Sequence, residues 1–219
     1  TGLAYEEIFE EANQLGFLEA DPNLDVGGID AAHKLVLLSS IAYGTQVDFN
    51  GAILEGIGRI TIEDIKAASE MGYRIKLLGV SSLSDSGLSQ TMRPCLVPLT
   101  SPLAQLNGGT NMIIIEGDAV GQIVLRGAGA GEGPTASAVI ADILDIARGI
   151  NIPVFGQPAN SLIKVPAIST SVENSFYLRL NLKDEAGILA KVSAALANVG
   201  ISIDRIRQEG HEKDAAPVI

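Results

Sequence analysis

The stretch that most limits what this chain can fold into runs from Ser81 to Gly131, where only five residues are charged: Asp85, Arg93, Glu116, Asp118 and Arg126. A segment so poor in charge reads as β-sheet that is covered, on one face by helices and on the other by a partner subunit. Arg74 to Val80 and Met92 to Val97 read as strands. Asn111 to Glu116 and Gly121 to Arg126 add two more, joined through Gly117-Asp118-Ala119-Val120, a hairpin signature.

Helical patterns flank the sheet. Tyr5, Ile8, Ala12 and Leu15 share one face ahead of Gly16. Glu19 to Gly28, rich in Asp, Pro, Asn and Gly, reads as an acidic loop. A helix is predicted from about Asp30 to Tyr43, stopped by Gly44, and its Leu35-Val36-Leu37-Leu38 run predicts burial on most sides. Thr61 is an N-cap candidate, with Glu63 and Asp64 in the first turn of a short helix ending before Gly72. After the hairpin, the glycine-rich run Gly127 to Gly133 and Pro134 lead into a helix from Thr135 to about Arg148. Pro153, Pro158 and Pro166 then mark a junction, beyond which the pattern restarts as strand Phe176 to Leu182, helix Gly187 to Asn198 and strand Ile201 to Arg207. The expected fold class is α+β, a mixed β-sheet covered by helices and followed by a β-α-β unit. The expected division is a domain over 1–150, a linker over 151–171 and a second domain over 172–219.

Composition removes several function classes. Acidic residues outnumber basic ones by 26 to 15 in 219 residues, and no Lys or Arg cluster offsets the net charge of −11, so nucleic acid is not an expected partner. A hydrophobic fraction of 47% against 19% charged supports a packed core rather than disorder. Apolar runs such as Met112 to Ile115 are too short to span a bilayer, and no secretory leader opens the chain, so a cytoplasmic protein without a membrane partner is expected. The single cysteine, Cys95, allows no intrachain disulfide and no thiolate-rich zinc site, and no metal is assigned. Cys95 reads as a small buried hydrophobe.

Asp30 and Lys34 stand four apart on the predicted helix and face the same way. One reading is a solvated ion pair beside an acidic loop. The other notes that an ammonium at the edge of an apolar helix loses hydration, which suits it to proton transfer, with Asp30 orienting it and the loop binding a substrate ammonium. His33 points elsewhere on such a helix, and His211 sits in a polar tail. The glycine run follows a strand and opens a helix, the setting of a phosphate cradle. Its G-x-G-x-x-G spacing fails, because the sixth position is Glu132 counted from Gly127 and Pro134 counted from Gly129.

Glu19-Ala20-Asp21-Pro22, followed by Asp25, Gly28, Asp30 and Lys34, resembles the homoserine dehydrogenase family at every position of its E-A-D-P and D-V-x-G-x-D-x-x-x-K hallmark. The resemblance continues through Met92 to Asp118 and Gly127 to Ile143, and so to about Gly149. It implies Lys34 as the acid–base group, Asp30 as the second catalytic group, Glu19 and Asp25 as ligands of the homoserine amino group, and Gly131 as a contact of an NAD or NADP cofactor. In that family a Rossmann half precedes this part. No such unit is present here, so most cofactor contacts, and a monovalent-cation site drawing on that half, are expected outside these residues. Thr1 opening inside a helical pattern fits a partial chain.

Phe176 to Leu182 followed by Lys183-Asp184-Glu185-Ala186-Gly187-Ile188-Leu189 resembles the start of an ACT domain, a ferredoxin-like β-α-β-β-α-β module of which about half is present, with Ala215 to Ile219 as its third strand. The resemblance implies an amino-acid effector such as threonine at Asp184 to Gly187, where helix N-terminal amides can take a carboxylate. A packing or dimerisation module without a ligand is the other reading. Together these resemblances imply NAD(P)-dependent interconversion of L-homoserine and L-aspartate 4-semialdehyde in a homodimer or higher oligomer. Two alternatives are an amino-acid-sensing or oligomerisation fragment without catalysis, and a site for a related hydroxy amino acid or semialdehyde.

Overall fold

The structure, a computed structural model, describes residues 22–169, 174–183, 185–208 and 216–218. The predicted helix around Tyr5 to Leu15, Glu19, Asp184 and His211 lie outside the described residues. The chain divides into two compact units, Thr1–Ser171 and Val172–Ile219.

In the first unit, helices α1 (Pro22–Val26) and α2 (Ile29–Tyr43) precede strand β1 (Ile53–Leu54), helix α3 (Ile62–Glu70), and the strands β2 (Tyr73–Ser84) and β3 (Gly87–Pro98). Strands β4 (Thr110–Gly117) and β5 (Gly121–Ala128) and helix α4 (Glu132–Ala147) follow. The expected acidic loop is thus partly helical. Pro22 opens α1 with its φ preset for a first helical turn.

Strand order β1-β3-β2, with β1 parallel and β2 antiparallel to β3, makes the sheet mixed. The β2–β3 hairpin is longer than its sequence pattern suggests, running from Tyr73↔Pro98 to Ser84↔Gly87 around Asp85-Ser86. Polar Ser81, Ser82 and Ser84 hide this extension, but Ser84 Oγ lies 2.9 Å from Ser86 Oγ and tightens the turn. Opposed residues share a face, so Leu77, Gly79 and Ser81 lie with Pro94, Met92 and Gln90 under α2. Gly79 leaves room for Leu35, whose Cδ1 is 3.1 Å from where a Cβ would stand. Ser39 Oγ donates to Ser81 Oγ at 2.8 Å, and Tyr43 Oη to the Ser81 carbonyl at 3.0 Å. Ala32 and Val36 of α2, Ala67 and Ala68 of α3, and Leu88, Met92 and Val97 of β3 supply the buried apolar core. Helix α3 begins with a capping box in which the Asp64 amide donates to Thr61 Oγ1 and the Thr61 amide to Asp64 Oδ2.

Strands β4 and β5 pair as the predicted hairpin, from Thr110↔Ala128 to Gly117↔Gly121. They form a separate two-stranded sheet rather than extending the mixed one. Between β3 and β4, Arg74 Nη1 donates to the Ala104 carbonyl at 2.7 Å and Lys76 Nζ to the Leu106 carbonyl at 2.6 Å. Burial, and then the Arg74 charge, hold the Lys76 ammonium below the usual lysine range. Ile113, Ile115 and Leu125 of the hairpin stay exposed, as do Val139, Ile140 and Ile143 of α4, and no residue of α4 is buried.

The segment expected as a linker packs on this unit. Ile163 bridges Thr45 and Ala167 bridges Leu88, both in parallel sense, and Leu162 is buried.

In the second unit, strand β6 (Leu180–Leu182) pairs antiparallel with β7 (Ala216–Val218), and helix α5 (Ile188–Asn198) lies between them in sequence. The predicted strand over 201–207 does not form. Ile201 instead donates its amide to the Leu196 carbonyl and Gly200 to that of Ala197, turning the chain back over the end of α5, and β6 takes its partner from farther along.

Candidate active site

Helix α2 carries the centre of the site, and both its ends are set by glycine in the left-handed region. Gly28, at φ 74°, takes the position before its first turn, and the Leu77 and Met92 side chains lie 3.3 Å from where its Cβ would be. Gly44, at φ 67°, ends the helix by donating its amide to the Ser40 carbonyl at 2.9 Å. A side chain at either position would meet backbone strain, so the Gly-Gly corner before α2 fixes where its first turn starts. That corner follows α1 directly, with the Gly28 amide bonded to the Asp25 carbonyl at 3.0 Å and the Ile57 amide to that of Val26 at 2.8 Å. Asp25 and Asp30 therefore flank one tight bend.

Lys34 Nζ donates to Asp30 Oδ2 at 2.6 Å across one helical turn. The pair lies on the face of α2 turned away from the sheet, with the lysine side chain 58% and the aspartate 36% exposed. The hydration loss expected for Lys34 is thus not supplied by these residues. The same face continues as Leu37, Leu38 and Ile41, which are 46%, 40% and 51% exposed. Burial of α2 on most sides is corrected accordingly. Four consecutive apolar residues sweep most of a helical turn, and the sheet covers only the sector holding Ala32, Val36, Ser39 and Ser40. The outward face is a charged pair followed by an uncovered apolar stripe.

His33 turns away from the pair and packs its ring on Phe49, with centroids 4.5 Å apart. Cys95 is half-buried on β3, where burial pushes its thiol up despite the Arg93 charge. Gly131 precedes α4 at φ 112° and ψ 157° and accepts from the Thr135 amide at 3.1 Å. Among the described residues, no hydrogen bond or ion pair joins Gly131 to the Asp30–Lys34 pair. A positive φ there favours glycine, and the failed glycine spacing gives no dinucleotide cradle. Gly187, at φ 88°, stands before α5 in the second unit. Among the described residues, no cluster of His, Cys, Asp and Glu is suited to hold a metal ion. None of their helices is long and apolar enough to cross a membrane.

Sequence reasoning named Gly28 as a hallmark position but did not read Gly27–Gly28 as a corner, although two glycines directly before a helical pattern are a readable signal. It also missed the packing of 162–168. The apolar Leu162, Ile163 and Val165 within that proline-bearing junction are the signal.

Comparisons with known proteins identify the family. The homoserine dehydrogenase family model matches residues 1–144 and the ACT domain model matches 176–219. A homoserine dehydrogenase from Pseudomonas aeruginosa is 41% identical over 97% of this chain and 51% of its own length. The crystal structure of a homoserine dehydrogenase from Thiobacillus denitrificans superposes with a TM-score of 0.82 at 37% identity, over 100% of this chain and 51% of that one. A hyperthermophilic archaeal homoserine dehydrogenase mutant in complex with NADPH matches with a TM-score of 0.51 at 28% identity, over 68% of this chain and 42% of its own. The class is an α+β member of an oxidoreductase family with an ACT domain behind it. The chain belongs to the homoserine dehydrogenase family, and it spans about half the length of the curated relatives it matches.

Proposed function

We propose that these residues form the substrate-binding part of an enzyme that interconverts L-homoserine and L-aspartate 4-semialdehyde, a step toward threonine, methionine and isoleucine. The observation that carries this reading is the Asp30–Lys34 pair, closed at 2.6 Å on the outward face of α2 within the family-matched region. Oxidation of a primary alcohol removes a proton from oxygen as a hydride leaves carbon. Lys34 takes that proton in oxidation and returns it in reduction. An ammonium beside the carbonyl oxygen also offsets the negative charge that develops there. Asp30 accepts the Lys34 hydrogen bond and holds the amine in place, while the Glu19 and Asp25 carboxylates receive the substrate's amino group.

A nicotinamide cofactor, NAD or NADP, supplies or accepts the hydride when bound. The NADPH complex of the archaeal relative supports it, and Gly131 is the residue here assigned to its edge. Its other contacts belong to the half of the relatives that this chain does not span. With Lys34 58% exposed, these residues alone are expected to turn over nothing. Enclosure by that other half strips water from the amine. In the ACT domain, Asp184 and Gly187 are assigned to an amino-acid effector such as threonine. The uncovered apolar residues of the β4–β5 hairpin and α4 support a homodimer, and a cytoplasmic location is part of the same proposal.

The test joins these residues to the nucleotide-binding half of the Pseudomonas aeruginosa relative and follows nicotinamide reduction with L-homoserine and with hydroxy amino acids one carbon shorter and longer. A kcat/KM for homoserine no greater than for its neighbours refutes the substrate assignment.

A further inference from the structure

The segment over 157–168 is bonded to both the helix that carries the site and the central strand beneath it. The Ile163 amide donates to the Gly44 carbonyl at 3.0 Å, and the Gln46 amide donates back to the Ile163 carbonyl at 2.9 Å. Farther along, the Leu88 amide donates to the Pro166 carbonyl at 2.9 Å and the Ile168 amide to the Leu88 carbonyl at 3.0 Å. Three glycines leave room for this strap. A Cβ on Gly44 would stand 2.6 Å from the Gln157 side-chain nitrogen Nε2, one on Gly51 2.6 Å from Ala167 Cβ, and one on Gly87 would collide with the Pro166 carbonyl. Leu162 is only 8% exposed, and Thr45, the bridge partner of Ile163, is fully buried. The strap is therefore part of the framework of the first unit.

We propose that this strap is the rear support of α2, with Ile163 as a positioning residue for the Asp30–Lys34 pair. Helix α2 is fixed in front by the Gly28 corner, in the middle by the Ser39–Ser81 bond and behind by the hydrogen bond from the Ile163 amide to the Gly44 carbonyl. Lys34 and Gly44 are ten residues apart, about 15 Å of rigid helix. A helix released at one end pivots about its remaining contacts, and an amine misplaced by about 1 Å loses much of its effect on the reaction. The inference rests on the catalytic reading of Lys34 given above.

The test uses the full-length enzyme. Ile163→Pro removes the amide that bonds to Gly44, and Leu162, at φ −64° and ψ 131°, already has the backbone that a residue before proline adopts. Ile163→Ala keeps that amide and trims a side chain that is 55% exposed. Ile163→Pro is expected to speed amide exchange over residues 36–44 at least about tenfold. It is also expected to lower kcat about tenfold with the KM for cofactor unchanged. Ile163→Ala should stay within about twofold of the parent in both measurements. Leu162→Ala, which loosens the strap by packing alone, should shift both in the same direction and serves if the proline variant folds poorly. Unchanged exchange in α2, or faster exchange with full turnover, overturns the inference. Lys34→Ala run alongside separates the two readings. Full turnover in that variant overturns the site assignment itself, whereas its loss alongside an unaffected strap variant overturns only the support role.

Discussion

Replacing Lys34 with alanine should leave the fold almost untouched while removing most of the turnover. The ion pair with Asp30 spans one helical turn with its side chains 58% and 36% exposed. Pairs of this kind contribute about 0.3–0.5 kcal/mol. Alanine is at least as good a helix former as lysine, so propensity returns part of that loss. For a chain of this size about 1 kcal/mol moves Tm by about 2–4 °C, so the expected shift is about 1–2 °C or less. Loss of a positioned acid–base group costs about 10²–10⁴ in rate. Calorimetry on the isolated chain and steady-state kinetics on the full-length enzyme measure the two quantities separately. Turnover within about threefold of the parent refutes the catalytic role. A Tm drop beyond about 5 °C refutes the claim that the pair contributes little to folding.

Other outcomes follow from the same geometry. Glu19→Gln in the full-length enzyme should raise the KM for homoserine more than it lowers kcat, and steady KM with reduced kcat contradicts a ligand role. Thr61→Ala removes one half of the capping box and should cost about 1 kcal/mol, read as a Tm fall of about 2–4 °C. The Cys95 thiol is held above the usual thiol range by burial, so less of it is thiolate at pH 8 than for a free cysteine. Its alkylation by iodoacetamide should be slow at that pH, rise with pH, and match a model peptide once urea unfolds the chain. L-Threonine should raise the Tm of the chain if Asp184 and Gly187 hold an effector, and Asp184→Asn should abolish the shift.

The sequence was most legible where a local signal and the tertiary fold agree. Gly44 ends α2, Thr61 and Asp64 cap α3, and the β4–β5 hairpin turns through Asp118-Ala119-Val120, all as the residues imply. The Asp30–Lys34 pairing was legible for the same reason, since four-residue spacing on a helix leaves little choice. What was not legible depends on long-range partners. Nothing in Leu35 to Leu38 says which two side chains meet the sheet, because that depends on where β2 lies. Ile201 to Arg207 reads as a strand yet forms none, whereas Ala216–Val218, inside the expected third strand, does pair with β6. The extension of β2 through Ser81 to Ser84 escaped an apolar pattern because its polar side chains are matched by Ser39 and by the turn.

Grafting the first unit onto a different C-terminal module, in the laboratory or over evolution, meets a constraint that sequence boundaries conceal. A cut at Gly149, just past the end of α4, would sever the residues that stitch Gly44 and Leu88 into the frame. A transplant joined after Ser171 keeps those stitches and exchanges only the module beyond them.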